Sequence, residues 1–343
     1  MPTAPSDLQT LRRFSAAIGA DPLLIQAAGG NTSVKDGAVM WIKASGTLLA
    51  DALTHDIFVP VDLPAMRSAI AERQPRADQP AEFALSGTLR PSIETSLHAV
   101  FSQLIVVHVH CVNTLAIVIR PDAKALLAER LQGFDWAFVP YGKPGADVAA
   151  LVMDALGPKT DVMLLGNHGL IVAAETVEAA QMLLAHTVAA LSAPVRASLR
   201  PDLRTLATHA TADFVTLPAD HPAHQLALFP DLIAIADAGS LYPDHVIFLG
   251  IGVTVLARDE TCDQAGSRRA TSGLTPPALI LVPGAGALMR ADAPSGALAL
   301  AQCLGDVLLR LPEGAAVQTL TFGQNADLLN WDAEKYRQAL NAG

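Results

Sequence analysis

Apolar and polar positions along the 343-residue chain change period repeatedly, and each change marks an element. Residues 7–19 (DLQTLRRFSAAIG) carry apolar positions at helical spacing and predict an amphipathic helix ending near Gly19. Residues 22–43 read as strand, turn and strand: Leu23 to Ala27 apolar, GGNTSVKDG turn-like, VMWI a short apolar run. Helix character follows in SGTLLADAL, after DIFVPVDLPAMRSAI begins, and from Ser92 to Leu104, with a polar, proline-containing connector at 72–80. The β-branched run Ile105 to Val109 predicts a buried strand, with NTLAIVI after it as helix or strand. A strand within 135–147, a helix over 146–156, the strand VMLLG at 162–166, LIVAA and a long helix over 175–193 complete this region.

Residues 194–222 mix prolines with polar residues and read as a boundary. Beyond them the pattern predicts a helix over 223–238, strands at VIFLG and VTVLA, and a polar loop to about 276. The strand ALILV, the turn PGAG, the strand ALMR and helices at 296–310 and 333–341 follow. The order divides the chain into a domain over residues 1–200 and a smaller α/β extension over 220–343, packed on it. LLGNHGLIVAA and LVPGAGALMR, each followed by a helix, form an internal echo in which the second copy lacks the histidine. Duplication and a recurrent strand-turn-strand geometry both account for it.

Composition narrows the class. Half the chain is hydrophobic (51%) and only 16% is charged, which excludes global disorder. The net charge of −10 is spread evenly, with no basic stripe, so nucleic acid is not an expected partner. Mean hydropathy is +0.35, yet His108, His110, Asn113, Asn167 and His168 interrupt the longest apolar runs short of a membrane span. Three scattered cysteines form no disulfide framework, and the first residues lack a secretory layout. The expectation is a soluble, cytoplasmic protein.

The chemistry concentrates in a few positions. In VVHVH, His108 and His110 lie two apart in a strand and share a face. Two imidazoles in an apolar strand need partners, either a divalent metal or ordinary hydrogen bonds at a sheet edge. His168, in a Gly-bounded turn after a buried strand, would complete three metal ligands with an open position, or serve as a polar turn residue. Glu94 follows Pro91 and Ser92 at a helix start, where a carboxylate either stabilises the first turn or acts as a general base beside a metal. His98, one turn on, reads as a packed residue that could contact Glu94. Gly29-Gly30-Asn31-Thr32-Ser33 and Ser45-Gly46-Thr47, the latter near Lys43, are anion-friendly turns. The first has neither dinucleotide nor Walker spacing.

The ordered set GGNTS, ASGT, PSIE, HVH and GNHG resembles the class II aldolase/adducin family over residues 8–195. That resemblance implies an α/β fold, a three-layer α/β/α sandwich around a mostly antiparallel sheet. It implies a metal-dependent aldehyde-lyase that cleaves a ketose phosphate or related sugar acid by a retro-aldol reaction through an enediolate. His108, His110 and His168 would bind a divalent metal, Zn2+ first among candidates, and Glu94 would be the catalytic acid/base. Gly30, Asn31, Ser45, Gly46 and Ser92 would form the substrate-phosphate pocket, although Ile93 stands where relatives often carry a small polar residue. A proton donor for the aldehyde fragment is sought among the tyrosines, Tyr141 first and Tyr242 next. His245 reads as a structural histidine at a strand start or as a residue near the site. The C-terminal part resembles the end of the aldolase portion of bifunctional rhamnulose-phosphate aldolase/dehydrogenases. The family also contains sugar-phosphate 4-epimerases, decarboxylases and adducin-like binding domains, which remain alternatives. A homo-oligomer acting on a small sugar phosphate, with no nucleic-acid or membrane partner, is the expected assembly.

Overall fold

A computed structural model describes residues 2–331. The chain forms two compact units, the first running to Ser192 and the second starting at Ala193, with Ile119–Pro121 belonging to the second. Among the described residues, no single helix is long and apolar enough to cross a membrane.

The first unit opens with α1 (Leu8–Gly19), whose Leu8, Leu11, Phe14 and Ile18 are buried at helical spacing as expected. Strands β1 (Asn31–Asp36), β2 (Val39–Lys43) and β3 (Phe58–Asp62) follow, then helices α2 (Leu63–Ala71) and α3 (Thr95–Ala99). Next come β4 (Ile105–Val109), α4 (Val112–Val118), α5 (Ala123–Arg130), β5 (Trp136–Val139) and α6 (Ala146–Ala155). The hairpin β6 (Val162–Leu165) and β7 (Gly169–Ala174) leads into α7 (Val177–Ala190), capped by the Thr176 hydroxyl accepting from Ala179 N–H. The sheet order is β3-β2-β1-β4-β7-β6-β5, antiparallel throughout except the parallel β5–β6 pair. Every residue of β4 is buried, which requires cover on both faces. Val106, Met163, Leu165, Ile171 and Ala173 pack with Leu97, Phe101 and Val148 of the α3 and α6 region. The α/β architecture with a mostly antiparallel central sheet flanked by helices is therefore the one expected.

Three local expectations fail in this unit. GGNTSVKDG is not a turn: six of its nine residues, Asn31–Asp36, are β1, the neighbour of β4. Its polar side chains are buried and paired across the layers, Thr32 with Ser15 at 2.7 Å and Ser33 with His98 Nδ1 at 2.8 Å. Lys35 Nζ donates to the Gln103 carbonyl at 2.8 Å. Leu23 to Ala27 is a turn rather than a strand, closed by Leu24 and Ile25 N–H groups on the Asp21 carbonyl. The helix expected from Ser92 to Leu104 is shorter, because Glu94 stands at its N-cap and the chain leaves it at Val100.

The second unit contains α8 (Leu203–His209), β8 (Phe214–Thr216), α9 (Gln225–Leu228), α10 (Pro230–Ala238) and α11 (Pro243–Leu249). It continues with β9 (Thr254–Val255), α12 (Cys262–Thr271), β10 (Leu279–Val282), β11 (Gly286–Arg290), α13 (Ser295–Leu308) and α14 (Phe322–Leu329). Its sheet order is β8-β11-β10-β9. VIFLG, expected as a strand, lies in α11: Pro243 starts the helix, and all seven residues are buried, so no polar face revealed the period. The expected polar loop holds α12, whose Thr261-x-x-Gln264 capping box is a start signal present in the sequence. The helix expected at 333–341 lies outside the described residues.

Burial, aided by the Arg67 charge and opposed by Glu175, lowers the Lys35 amine from its usual 10.5 to about 7. Between these values the unfolded chain holds a proton that the folded chain does not, so stability rises with pH across that window and is level below it. Urea midpoints measured from pH 6.5 to 10.5 are expected to climb for the native chain and to lose most of that slope in Lys35→Met.

Candidate metal centre and anion pocket

The site is assembled where β1, β4 and β7 lie side by side. Asn31 pairs with His108 across β1 and β4, and His108 pairs with Ile171 across β4 and β7. His110 stands one residue beyond the end of β4, and His168 closes the β6–β7 turn, where Asn167 takes a left-handed φ of 52°. Glu94 enters from the start of α3. Glu94, His108, His110 and His168 are all buried, with one ligand atom from each lying within 4.8 Å of every other.

The short distances describe a converging donor set. His110 Nε2 and His108 Nε2 are 3.2 Å apart, and Glu94 Oε1 lies 3.2 Å from His168 Nε2 and 3.5 Å from His108 Nε2. Donors about 2.1 Å from a tetrahedral zinc are separated by roughly 3.4 Å, so this spacing suits such an ion. His108 Nδ1 lies 3.1 Å from the Leu170 carbonyl, which takes its proton and leaves Nε2 bare toward the cluster. Glu94 Oε1 accepts no hydrogen bond despite being buried. A divalent cation satisfies both the bare nitrogen and the orphan oxygen, so these residues fit a metal.

Electrostatics agree with that fit. Burial, resisted by the Glu94 charge, pushes His108 down to about 3, which keeps its imidazole neutral. Burial alone would raise the Glu94 carboxyl, but the imidazoles of His108, His168 and His110 outweigh it and hold the group well below the usual carboxylate range. Asn31 Nδ2 donates to Glu94 Oε2 at 2.6 Å, which turns Oε1 toward the histidines.

The turns expected to bind an anion are tied to this cluster. Gly30 needs its φ of 63°, and a Cβ there would stand 2.9 Å from the His108 carbonyl. Lys43, 1% exposed, donates through Nζ to the Ala28 and Thr47 carbonyls at 2.7 and 2.8 Å, joining the turn before Asn31 to the Ser45-Gly46 turn. Ser92 N–H donates to the Lys43 carbonyl at 3.0 Å, and Ser45 N–H to the Arg90 carbonyl at 2.9 Å. Ser92 Oγ accepts from Glu94 N–H at 3.2 Å. Asn31, Ser45, Gly46 and Ser92 are thus drawn together beside Glu94, and Ile93 among them is buried. The linking role of Lys43 was not legible from its neighbours in sequence.

Tyr141 lies between β5 and α6, its backbone against the histidine turn: a Cβ on Gly166 would sit 2.9 Å from Tyr141 N. Tyr242 and His245 belong to the interior of the second unit. Tyr242 OH contacts Cys303 Sγ at 3.6 Å, and burial raises it well above 10. His245, on α11 rather than at a strand start, accepts from Leu241 N–H at 3.3 Å, and burial lowers it to about 3.

The family model described as Class II Aldolase and Adducin N-terminal domain matches residues 17–193. The uncharacterized oxidoreductase YuxG of Bacillus subtilis (strain 168) is 30% identical over 191 residues, 51% of this chain and 27% of YuxG. The chain therefore matches little more than a quarter of that relative's length. The N-terminal class II aldolase domain of a conserved Thermoplasma acidophilum protein is 26% identical, with TM-score 0.49, over 56% of this chain and 94% of that one. A sugar-phosphate aldolase of Thermotoga maritima is 16% identical, with TM-score 0.41, over 60% of this chain and 97% of that one.

Gly169 is where backbone and ligands crowd most. A Cβ there would lie 2.6 Å from the Val109 carbonyl and 3.1 Å from His108 Cε1. Gly169→Ala is expected to weaken zinc binding at least about tenfold, the scale of lost support to metal ligands, and to lower the melting midpoint. Chelator competition and thermal melts read the two effects.

Proposed function

Because the chain belongs to the class II aldolase and adducin family, we propose that it is a metal-dependent aldolase cleaving a ketose phosphate or a related sugar acid. The observation that carries this reading is the buried convergence of three imidazoles with one carboxylate beside hydrogen-bonding turns. His108, His110 and His168 would hold the ion, zinc being the choice that suits three nitrogen ligands with an open position. When bound, a divalent ion there supplies Lewis-acid polarisation of the ketose carbonyl and the adjacent hydroxyl oxygen.

In cleavage, the hydroxyl beside the breaking C–C bond loses its proton, and the bond's electron pair passes to the carbon next to the carbonyl. Glu94 would return a proton to that carbon, a role supported by the Asn31 hydrogen bond that fixes which carboxylate oxygen faces the cluster. Tyr141 is the proposed partner for the hydroxyl proton on the aldehyde side, supported by its backbone contact with the turn that bears His168. Gly30, Asn31, Ser45, Gly46 and Ser92 would receive an anionic substrate group with backbone N–H and side-chain donors. The second unit is read as the equivalent of the end of the aldolase portion of bifunctional rhamnulose-phosphate aldolase/dehydrogenases. The name and greater length of YuxG support that part of the reading.

Glu94→Gln is expected to retain metal on the three histidines and to lose about 10²- to 10⁴-fold in turnover. Elemental analysis and product analysis over a panel of ketose phosphates read the two quantities. A dihydroxyacetone-type fragment plus an aldehyde supports cleavage, whereas a product with the carbon chain intact assigns the site to epimerisation. Absence of bound metal in protein prepared without chelator would favour a binding domain. Ile93→Ser, by adding a hydroxyl donor, is expected to lower KM for the phosphorylated substrate about tenfold.

A further inference from the structure

The second unit repeats the architecture of the half of the first unit that carries the histidines. The order β4-β7-β6-β5 in one sheet has its counterpart in β8-β11-β10-β9 in the other. In both, the last pair is parallel and the other two are antiparallel. The succession β5-α6-β6-β7-α7 is matched by β9-α12-β10-β11-α13. Helices α6 and α12 both have 10 residues, β6 and β10 both have 4, and α7 and α13 both have 14.

Register agrees residue by residue. One constant step along the chain carries the pairs Val162–Val172 and Leu165–Gly169 onto Leu279–Met289 and Val282–Gly286. The same step carries the parallel pair Ala137–Met163 onto Thr254–Ile280. The hairpin turns also coincide: Asn167 and Gly284 take φ values of 52° and 76° at the middle position. His168 N–H bonds the Leu165 carbonyl at 3.1 Å, and Ala285 N–H bonds the Val282 carbonyl at 2.9 Å. A glycine opens the next strand in each, Gly169 and Gly286.

These correspondences locate the equivalents of the metal ligands. His108 faces Ile171, and Thr216 faces Leu288, which the same step relates to Ile171. Thr216 therefore stands for His108, Pro218 for His110 and Ala285 for His168. Another imidazole fills the place. His224 Nε2 donates to the Pro218 carbonyl at 3.0 Å and lies 3.3 Å from the Leu217 carbonyl. Its Nδ1 accepts from Ala287 N–H at 3.0 Å. Ala287 is the equivalent of Leu170, whose carbonyl takes the His108 proton. A Cβ on Gly286 would lie 2.6 Å from His224 Nδ1, much as one on Gly169 would press on His108.

We propose that the second unit is a structural repeat of the β4–β7 half of the first, in which the His224 imidazole plugs the position of the metal centre. One fully hydrogen-bonded side chain takes the place of a cation and its ligands, so the unit is a filled copy, and the first unit holds the one cluster of metal-ligating side chains among the described residues.

Two experiments on the full chain test this. Zinc reconstitution followed by elemental analysis is expected to give one ion per native chain. The variant Thr216→His/Pro218→His/Ala285→His/His224→Gly is expected to give two. A variant that melts cooperatively and holds only the first ion overturns the equivalence of positions. Separately, His224→Gly is expected to melt several degrees below the native chain, with free imidazole at tens of millimolar restoring part of the loss and leaving the native chain unmoved. A native-like midpoint, or a loss that imidazole does not recover, overturns the plug. This second experiment needs no metal, so it decides the matter if the fourfold variant does not fold. A native chain that binds no zinc would count against the metal reading of the first unit instead.

Discussion

Glu94 is a carboxylate taken almost wholly out of water, and the first unit is organised around making that tolerable. An isolated buried charge of this kind would protonate or unfold the region around it. Here the carboxylate is held by the Asn31 amide on one oxygen and faces three imidazoles with the other. The imidazoles are fixed in turn, His108 by the Leu170 carbonyl and His168 by the tight turn before Gly169. Each fixed group leaves a lone pair or a charge directed at one point, the condition for binding a small, doubly charged ion.

The sheet order makes that convergence possible at low conformational cost. Because β4 is central, its end presents His108 and His110 between β1 and β7, which bring Asn31 and the His168 turn. Rigid strands, rather than long loops, therefore set the distances. The turns proposed to receive an anion are held in the same manner. The Lys43 side chain and the Ser92 backbone tie separate turns to one strand end, beside the carboxylate. Preorganisation of this kind spares a site the cost of ordering its groups when substrate arrives.

The second unit shows how a shared architecture persists once its polar centre has changed. Strand order, hairpin register and the left-handed turn residue match, while the ligand positions hold threonine, proline and alanine. Backbone geometry is set by packing and by glycine at two positions, neither of which depends on a metal. The polar interior still has to be satisfied, and His224 does so with hydrogen bonds to main-chain groups on both sides.

Much of this was legible in the chain. Local patterns identified α1, β2, β4, β6, β7, α7 and the β10–β11 hairpin, since apolar periodicity and turn residues act over short distances. HVH and the Gly-bounded His168 turn marked the chemistry, because imidazoles inside apolar strands need a reason to be there. The capping box of α12 was equally local and shows that a polar stretch is not thereby a loop. What only the tertiary structure decided was the fate of polar residues whose partners are distant in sequence. Asn31, Ser33 and Lys35 look like a turn because nothing nearby satisfies them. Their partners lie 63, 65 and 68 residues away, and once those are supplied the same segment is a buried strand. The fully buried α11 was illegible for the opposite reason: with every side covered, no solvent face remained to print a period on the sequence.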